Sequence, residues 1–336
     1  MARINQDKKV LFCGPIDNPL NSGRYMIAGM EELGYEVRGY DYRTAGGRED
    51  DLIRIASEEK PGYVFVLKGE KLTLDLIGAL KSLGTKTILW FTMVPLEDWM
   101  IPFAKALDFV MTNVEDHVDY FRKKGIQNVK WVHQGFAPEF FGIDQKGKVP
   151  QGHWYADVAM IGSMGNPIYN KRCERALVLK KNGFDVKWWG PHLSRDFRNL
   201  KYHLRGIGRM WAGREVYMKD FADVIGHTKV FIGEDADIPI RGRYLSNRSL
   251  AVIGCGGFYL CKRTPGIEFL FDIGRECDVY DSNDEMIEKV RYYLNNEDER
   301  KAIALKGQKK ILGNYTYKDQ MKKIFHWVEE NSQETT

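Results

Sequence analysis

The chain has 336 residues, 43% hydrophobic and 29% charged, with 50 Lys or Arg against 46 Asp or Glu. That composition excludes a disordered or fibrous protein, and a formal charge of +4 does not by itself name a nucleic acid as partner. Residues 1–9 hold no apolar core for a signal peptide, and no apolar run approaches the roughly 18 residues that span a bilayer. Five cysteines without paired CxxC spacing fit a reducing compartment, so a cytoplasmic protein is expected.

In chain order, the first half alternates short apolar runs with helical patterns. Strands are predicted at residues 10–13, 37–40, 63–67, 87–91, 109–112 and 129–133. Between the first two, Met26, Ile27, Met30 and Leu33 share one helical face. A polar stretch rich in Gly and Lys at 142–152 reads as a linker. The second half restarts with strands at 158–161, 186–189, 230–233, 257–260 and 278–280. Helices at 283–294, 299–311 and 318–328 close the chain. Such alternation predicts an α/β protein with parallel sheets covered on both faces. Its expected parts are residues 1–145, 153–315 and a closing helix in 316–336 that returns to the first domain.

The two halves repeat a phrase. Val10-Leu11-Phe12-Cys13-Gly14 is followed by Asn18-Pro19, Asn21 and Arg24, and Val158-Ala159-Met160-Ile161-Gly162 by Asn166-Pro167, Asn170 and Arg172. Both helices end alike, in Gly34-Tyr35-Glu36-Val37-Arg38 and Gly183-Phe184-Asp185-Val186-Lys187. Two similar β-loop-α-β units are therefore expected, opening two domains that face each other across a ligand cleft.

The loop Gly162-Ser163-Met164-Gly165-Asn166-Pro167 joins a strand to a helix N-terminus, a natural anion site, with Lys171 and Arg172 just beyond. It matches neither the dinucleotide fingerprint nor the Walker loop. Asp235-Ala236-Asp237 imitates a metal-binding DxD motif, but solvated loop acids are the preferred reading. Residues 195–219 hold seven Lys or Arg against two acids, interleaved with Phe197, Tyr202, Trp211 and Tyr217. Arg198, Lys201, Arg205 and Arg209 fall at helical spacing, although Gly206 and Gly208 argue against one unbroken helix. This arm reads either as a nucleic-acid contact with stacking aromatics or, preferred, as a solvated or domain-docking insertion.

From Tyr244 to Tyr317 the chain carries Ser246, Arg248, Gly256-Gly257-Phe258, Gly266-Ile267-Glu268, Tyr292-Tyr293-Leu294, Glu299-Arg300 and Tyr315-Thr316-Tyr317. This order resembles the C-terminal region of GT-B glycosyltransferases, and within them the group named after the CgeB spore maturation protein, which also occurs in phages. Leu67-Lys68-Gly69, Trp90 with Pro95, residues 108–112 and residues 134–138 fit the same group. Ala251 stands where related enzymes often carry a glutamate on the donor ribose, and residues 90–95 lack the acids that the group often has there.

The resemblance implies two Rossmann-like domains, with the acceptor on the first and a nucleotide-sugar, such as a UDP-sugar, on the second. It implies donor contacts from Gly162, Ser163, Arg172, Tyr244, Ser246, Arg248, Gly256, Gly257 and Glu268. Main-chain amides and arginines, without metal or other cofactor, would stabilise the departing diphosphate. If the enzyme inverts, a base on the first domain is needed. Candidates are Asp17, preferred because its loop mirrors the donor loop, then Glu70, and His117, which also reads as an exposed helix residue. A hydroxymethylated DNA base is one expected acceptor, contacted by Arg198, Lys201, Arg205 and Arg209. A surface polysaccharide or spore component is another. A non-catalytic nucleotide-sugar binder and a nucleotide-sugar epimerase stay open.

Overall fold

The computed structural model describes residues 8–19, 21–44, 48–92, 95–143, 156–165, 167–235 and 240–332. Most of the expected linker, residues 144–152, lies outside these, as do Asn166, Ala236 and Asp237. The chain divides into two compact units. Unit 1 takes the described residues of Met1–Gly135, Gly242–Tyr244 and Tyr315–Thr336, and unit 2 those of Phe136–Arg241 and Leu245–Asn314.

Unit 1 runs β1 (Lys9–Cys13), α1 (Gly23–Glu31), β2 (Glu36–Tyr40), α2 (Glu49–Glu59), β3 (Tyr63–Leu67), α3 (Leu74–Ser82), β4 (Lys86–Phe91), α4 (Met100–Ala106), β5 (Phe109–Thr112), α5 (Glu115–Lys123) and β6 (Val129–Trp131). The strands pair in parallel in the order β2-β1-β3-β4-β5-β6. Every residue of β3 is buried, as a central parallel strand covered on both faces requires. On one face Leu11, Val64, Val66, Leu89 and Val110 pack with Leu52 of α2 and with Leu76, Ile77 and Leu80 of α3.

Unit 2 begins with the short α6 (Pro138–Phe141), whose Phe141 ring meets Phe221 at 5.7 Å. Residues 136–143 thus pack with the second unit, short of the boundary expected near 145. The unit continues through β7 (Ala156–Ile161), α7 (Asn170–Lys181), β8 (Val186–Trp189), α8 (Leu200–Leu204), α9 (Met218–Gly226), β9 (Thr228–Gly233), α10 (Asn247–Gly254), β10 (Tyr259–Lys262), α11 (Pro265–Leu270), β11 (Asp278–Tyr280), α12 (Asn283–Asn295) and α13 (Glu297–Asn314). Its parallel sheet has the order β11-β10-β9-β7-β8. The strand expected at 257–260 starts two residues later. Gly256, at φ +82°, and Gly257 close α10 by donating to Ile253 and Val252.

The last helix, α14 (Tyr317–Ser332), belongs to unit 1. Its Phe325 ring stacks on Tyr35 at 4.2 Å and meets Tyr63 edge-on at 5.2 Å, covering the sheet face opposite the α2–α3 core. Helix α1 approaches the start of α14 closely: a Cβ on Gly29 would lie 2.8 Å from the Lys318 nitrogen. Among the described residues no helix is long and apolar enough to cross a membrane. The five cysteines are buried free thiols, as small core residues are.

Candidate functional site

In an open parallel sheet, ligands sit outside the carboxyl ends of the strands, where the strand order reverses. In unit 2 that point lies between β7 and β9, because β7 leads to β8 on one side and β9 joins it on the other. The chain leaves β7 through Gly162, which adopts φ +117°, a conformation open to glycine and rarely to other residues. Two arginines close on it. A Cβ there would lie 2.6 Å from Nη1 of Arg248 and 3.3 Å from Nη1 of Arg172.

Arg172 stands in the first turn of α7 and is 5% exposed. Its Nε donates to the Glu234 carbonyl at 2.7 Å and its Nη1 to the Ser163 carbonyl at 2.8 Å, while its guanidinium lies 4.1 Å from the Tyr169 ring centre. Burial, and then the Arg248 charge, push its pKa well below the usual arginine range. Arg248, in the first turn of α10, donates to the Ile161 carbonyl at 2.8 Å and faces Asp235 at 3.7 Å. The buried Glu234 is already matched by Arg175, whose Nε donates to it at 2.9 Å, and by the Tyr280 hydroxyl at 3.0 Å. Among the described residues, two guanidiniums therefore meet at the switch point, with Asp235 facing that of Arg248. Asp235, read from sequence as a solvated loop acid, is an arginine partner; Asp237 lies outside the described residues.

Ser246 caps α10 through the Ser249 N–H and exchanges a 3.0 Å hydrogen bond with the Ser249 hydroxyl, next to Arg248 in sequence. Glu268, on α11, is exposed and paired with Arg263 at 2.6 Å. Tyr244 lies with unit 1. Gly256 and Gly257 precede β10 and so occupy the amino edge of the sheet, opposite Gly162. Their Cβ positions face Gln308 at 3.0 Å and Ile225 at 2.7 Å. These two glycines turn a helix into a strand instead of exposing backbone at the Arg172–Arg248 edge.

The candidate bases occupy the carboxyl edge of unit 1. Asp17 follows β1, is exposed, and accepts from the Thr44 hydroxyl at 2.7 Å. Its loop is fixed by Asp41, whose Oδ2 takes the N–H groups of Ile16 and Asp17 at 2.7 and 2.9 Å. Glu70 follows β3 and is held by the Tyr42 hydroxyl at 2.8 Å and Arg43 Nε at 2.8 Å. Burial opposes its charge, but Tyr42 and Arg43 keep its pKa below the usual carboxylate range. His117, expected to be exposed, is 8% exposed, with Nδ1 3.2 Å from the Thr112 hydroxyl. Burial lowers its pKa to about 4, which weakens it as a proton acceptor.

The basic arm is broken as its glycines foretold. A 3₁₀ turn at Phe197–Asn199 leads into α8, Gly206 turns at φ +78°, and a second 3₁₀ turn spans Ile207–Met210. Tyr202, a stacking ring on the nucleic-acid reading, is fully buried. Arg198 is tied to Asp196 by two contacts of 3.0 Å. Leu200 and Leu204 are exposed although their spacing matches that of a core stripe.

The family described as glycosyl transferase-like matches residues 172–326. The spore protein CgeB of Bacillus subtilis (strain 168) is 22% identical over 287 residues, covering 82% of this chain and 86% of its own. Among solved structures, a glycosyltransferase from Rickettsia africae aligns with TM-score 0.68 at 10% identity, over 96% of this chain and 98% of its own. Anabaena Alr3699/HepE in complex with UDP and glucose aligns with TM-score 0.62 at 12% identity, over 96% and 100%. The chain has the GT-B fold, and its residues 172–326 match the glycosyl transferase-like family, with CgeB as a 22% identical relative.

Proposed function

We propose that the protein moves a sugar from a uridine-diphosphate donor to a hydroxyl acceptor, with the donor diphosphate held by unit 2 at Arg172 and Arg248. The observation that carries this reading is the pair of guanidiniums converging on Gly162 at the switch point of a parallel sheet, with Asp235 facing Arg248. An anionic ligand there takes charge-assisted hydrogen bonds from the guanidiniums. Support also comes from the similar fold of HepE, which was solved with UDP and glucose.

In the reaction the acceptor oxygen attacks the anomeric carbon and the bond from that carbon to the diphosphate oxygen breaks. The electron pair leaves with the nucleoside diphosphate, and the acceptor proton passes to a base. Arg248 and Arg172 stabilise the charge that builds on the leaving group, the part that a metal ion plays in other transferases. We assign the base to Asp17. Glu70 is engaged by Tyr42 and Arg43, and His117 is buried and weakly basic.

Calorimetric titration with UDP, followed by incubation with UDP-glucose, tests the proposal. UDP binding and slow release of UDP support a transferase awaiting its acceptor. Binding without turnover supports a binder, an altered sugar supports an epimerase, and absence of UDP binding refutes the donor assignment.

A further inference from the structure

The 3₁₀ turn Phe197–Asn199 and helix α8 present Phe197, Leu200 and Leu204 at 83%, 56% and 79% exposure. Their spacing places the three on one side of the helical stretch. The stretch is anchored by its other side, where Asn199, Tyr202, Ile207 and Met210 are buried, the last three in the core of unit 2. The outward direction of the apolar side chains is therefore fixed by packing. Beside them stand the exposed cations Lys201, Arg205 and Arg209, and no acidic residue occurs from 197 to 214. The Asp196 carboxylate holds the Arg198 guanidinium.

We infer that this face docks on an anionic lipid bilayer. Apolar tips flanked by cations match an interface in which side chains enter the acyl boundary while lysine and arginine meet headgroup phosphates. A nucleic acid would leave Leu200 and Leu204 in water, and the buried Tyr202 ring offers it no stacking surface. The arm also rests on the loop after β7: a Cβ on Gly165 would lie 2.4 Å from Leu193 and 2.6 Å from Asn199. Docking therefore brings the carboxyl edge of the unit 2 sheet to the membrane surface. This inference stands apart from the donor assignment.

The test is co-sedimentation of the full chain with vesicles of phosphatidylcholine, alone or mixed with phosphatidylglycerol. Binding is expected to the mixed vesicles and to weaken with salt. A variant combining Phe197→Ser, Leu200→Ser and Leu204→Ser is expected to lose binding by about tenfold or more. A second, combining Lys201→Gln, Arg205→Gln and Arg209→Gln, is expected to lose roughly fivefold per cation. Both sets of positions are exposed, so melting temperature and UDP affinity should hold. Failure to bind mixed vesicles, or binding undiminished in the serine variant, overturns the inference. Two further results also overturn it: a duplex-DNA gel shift lost in the glutamine variant but kept in the serine variant, and self-association abolished by the serine substitutions.

Discussion

Arg172 and Arg248 stand on different helices and reach the same glycine, Gly162, at the end of β7. Their roles there differ. Arg172 is buried and bonds two backbone carbonyls, so its removal leaves both unsatisfied and costs about 1–3 kcal/mol for each. Arg248 keeps more solvent contact and has one carbonyl partner, so it is the cleaner probe. Arg248→Gln is expected to weaken UDP binding by about 2 kcal/mol, roughly thirtyfold, with a small change in melting temperature. Calorimetry on both proteins checks this, and an unchanged Kd would remove the diphosphate from this edge.

Gly162→Ala attacks the same place through the backbone. At φ +117° an alanine is strained, and its Cβ must displace the Arg248 guanidinium. The expected outcome is a loss of donor affinity at least as large as that of Arg248→Gln, with destabilisation of about 1–3 kcal/mol. Gly29→Ala provides the contrast. It forces α1 away from the backbone of Lys318 in unit 1, so it should lower the melting temperature and leave UDP affinity alone. Equal loss of UDP affinity in both variants would show that general destabilisation explains the first.

Much of this arrangement was legible in the repeated phrase. Arg24 and Arg172 stand at the same distance from Gly14 and Gly162, and each turns back onto its own loop. Arg24 bonds the carbonyls of Ile16 and Asp17, and Arg172 that of Ser163. Gly34 and Gly183, which end the two helices, share φ values of +82° and +86°. Local geometry repeated in space leaves repeated residues in sequence. Asp235 facing Arg248, and Glu234 shared by Arg175 and Tyr280, join residues far apart in the chain, so no spacing announces them. Periodicity also cannot tell an apolar stripe that is buried from one that faces outward. Leu200 and Leu204 face outward and Tyr202 inward, an assignment that spacing alone leaves open.

His133 makes stability depend on pH. Burial lowers its pKa from 6.5 to about 4, against a raising contact from the Gln134 carbonyl at 2.7 Å. Between these values the unfolded chain binds more protons than the folded one. Stability is thus complete above pH 6.5 and falls as pH drops towards 4. The loss is on the order of 3 kcal/mol at most. His117 acts in the same direction. Urea midpoints at the two ends of this window should differ, and His133→Gln should flatten the dependence. An equal slope in that variant would assign the effect to other groups.

Asp17 is the group whose replacement should separate chemistry from binding. Its carboxylate is exposed with the Thr44 hydroxyl at 2.7 Å, whereas Glu70 is shared between Tyr42 and Arg43. A carboxylate held by an arginine gives little driving force for taking a proton, so Glu70→Gln should act mainly on stability. Asp17→Asn keeps the shape and removes the basic oxygen. It is expected to slow UDP release from UDP-glucose by about 10²–10⁴-fold, with UDP affinity unchanged. His117→Asn, at a buried and weakly basic site, should slow release far less. The three variants compared at one pH decide the assignment. If Asp17→Asn releases UDP at the wild-type rate while Glu70→Gln does not, the proton goes to Glu70, and the Tyr42 and Arg43 contacts must loosen during turnover.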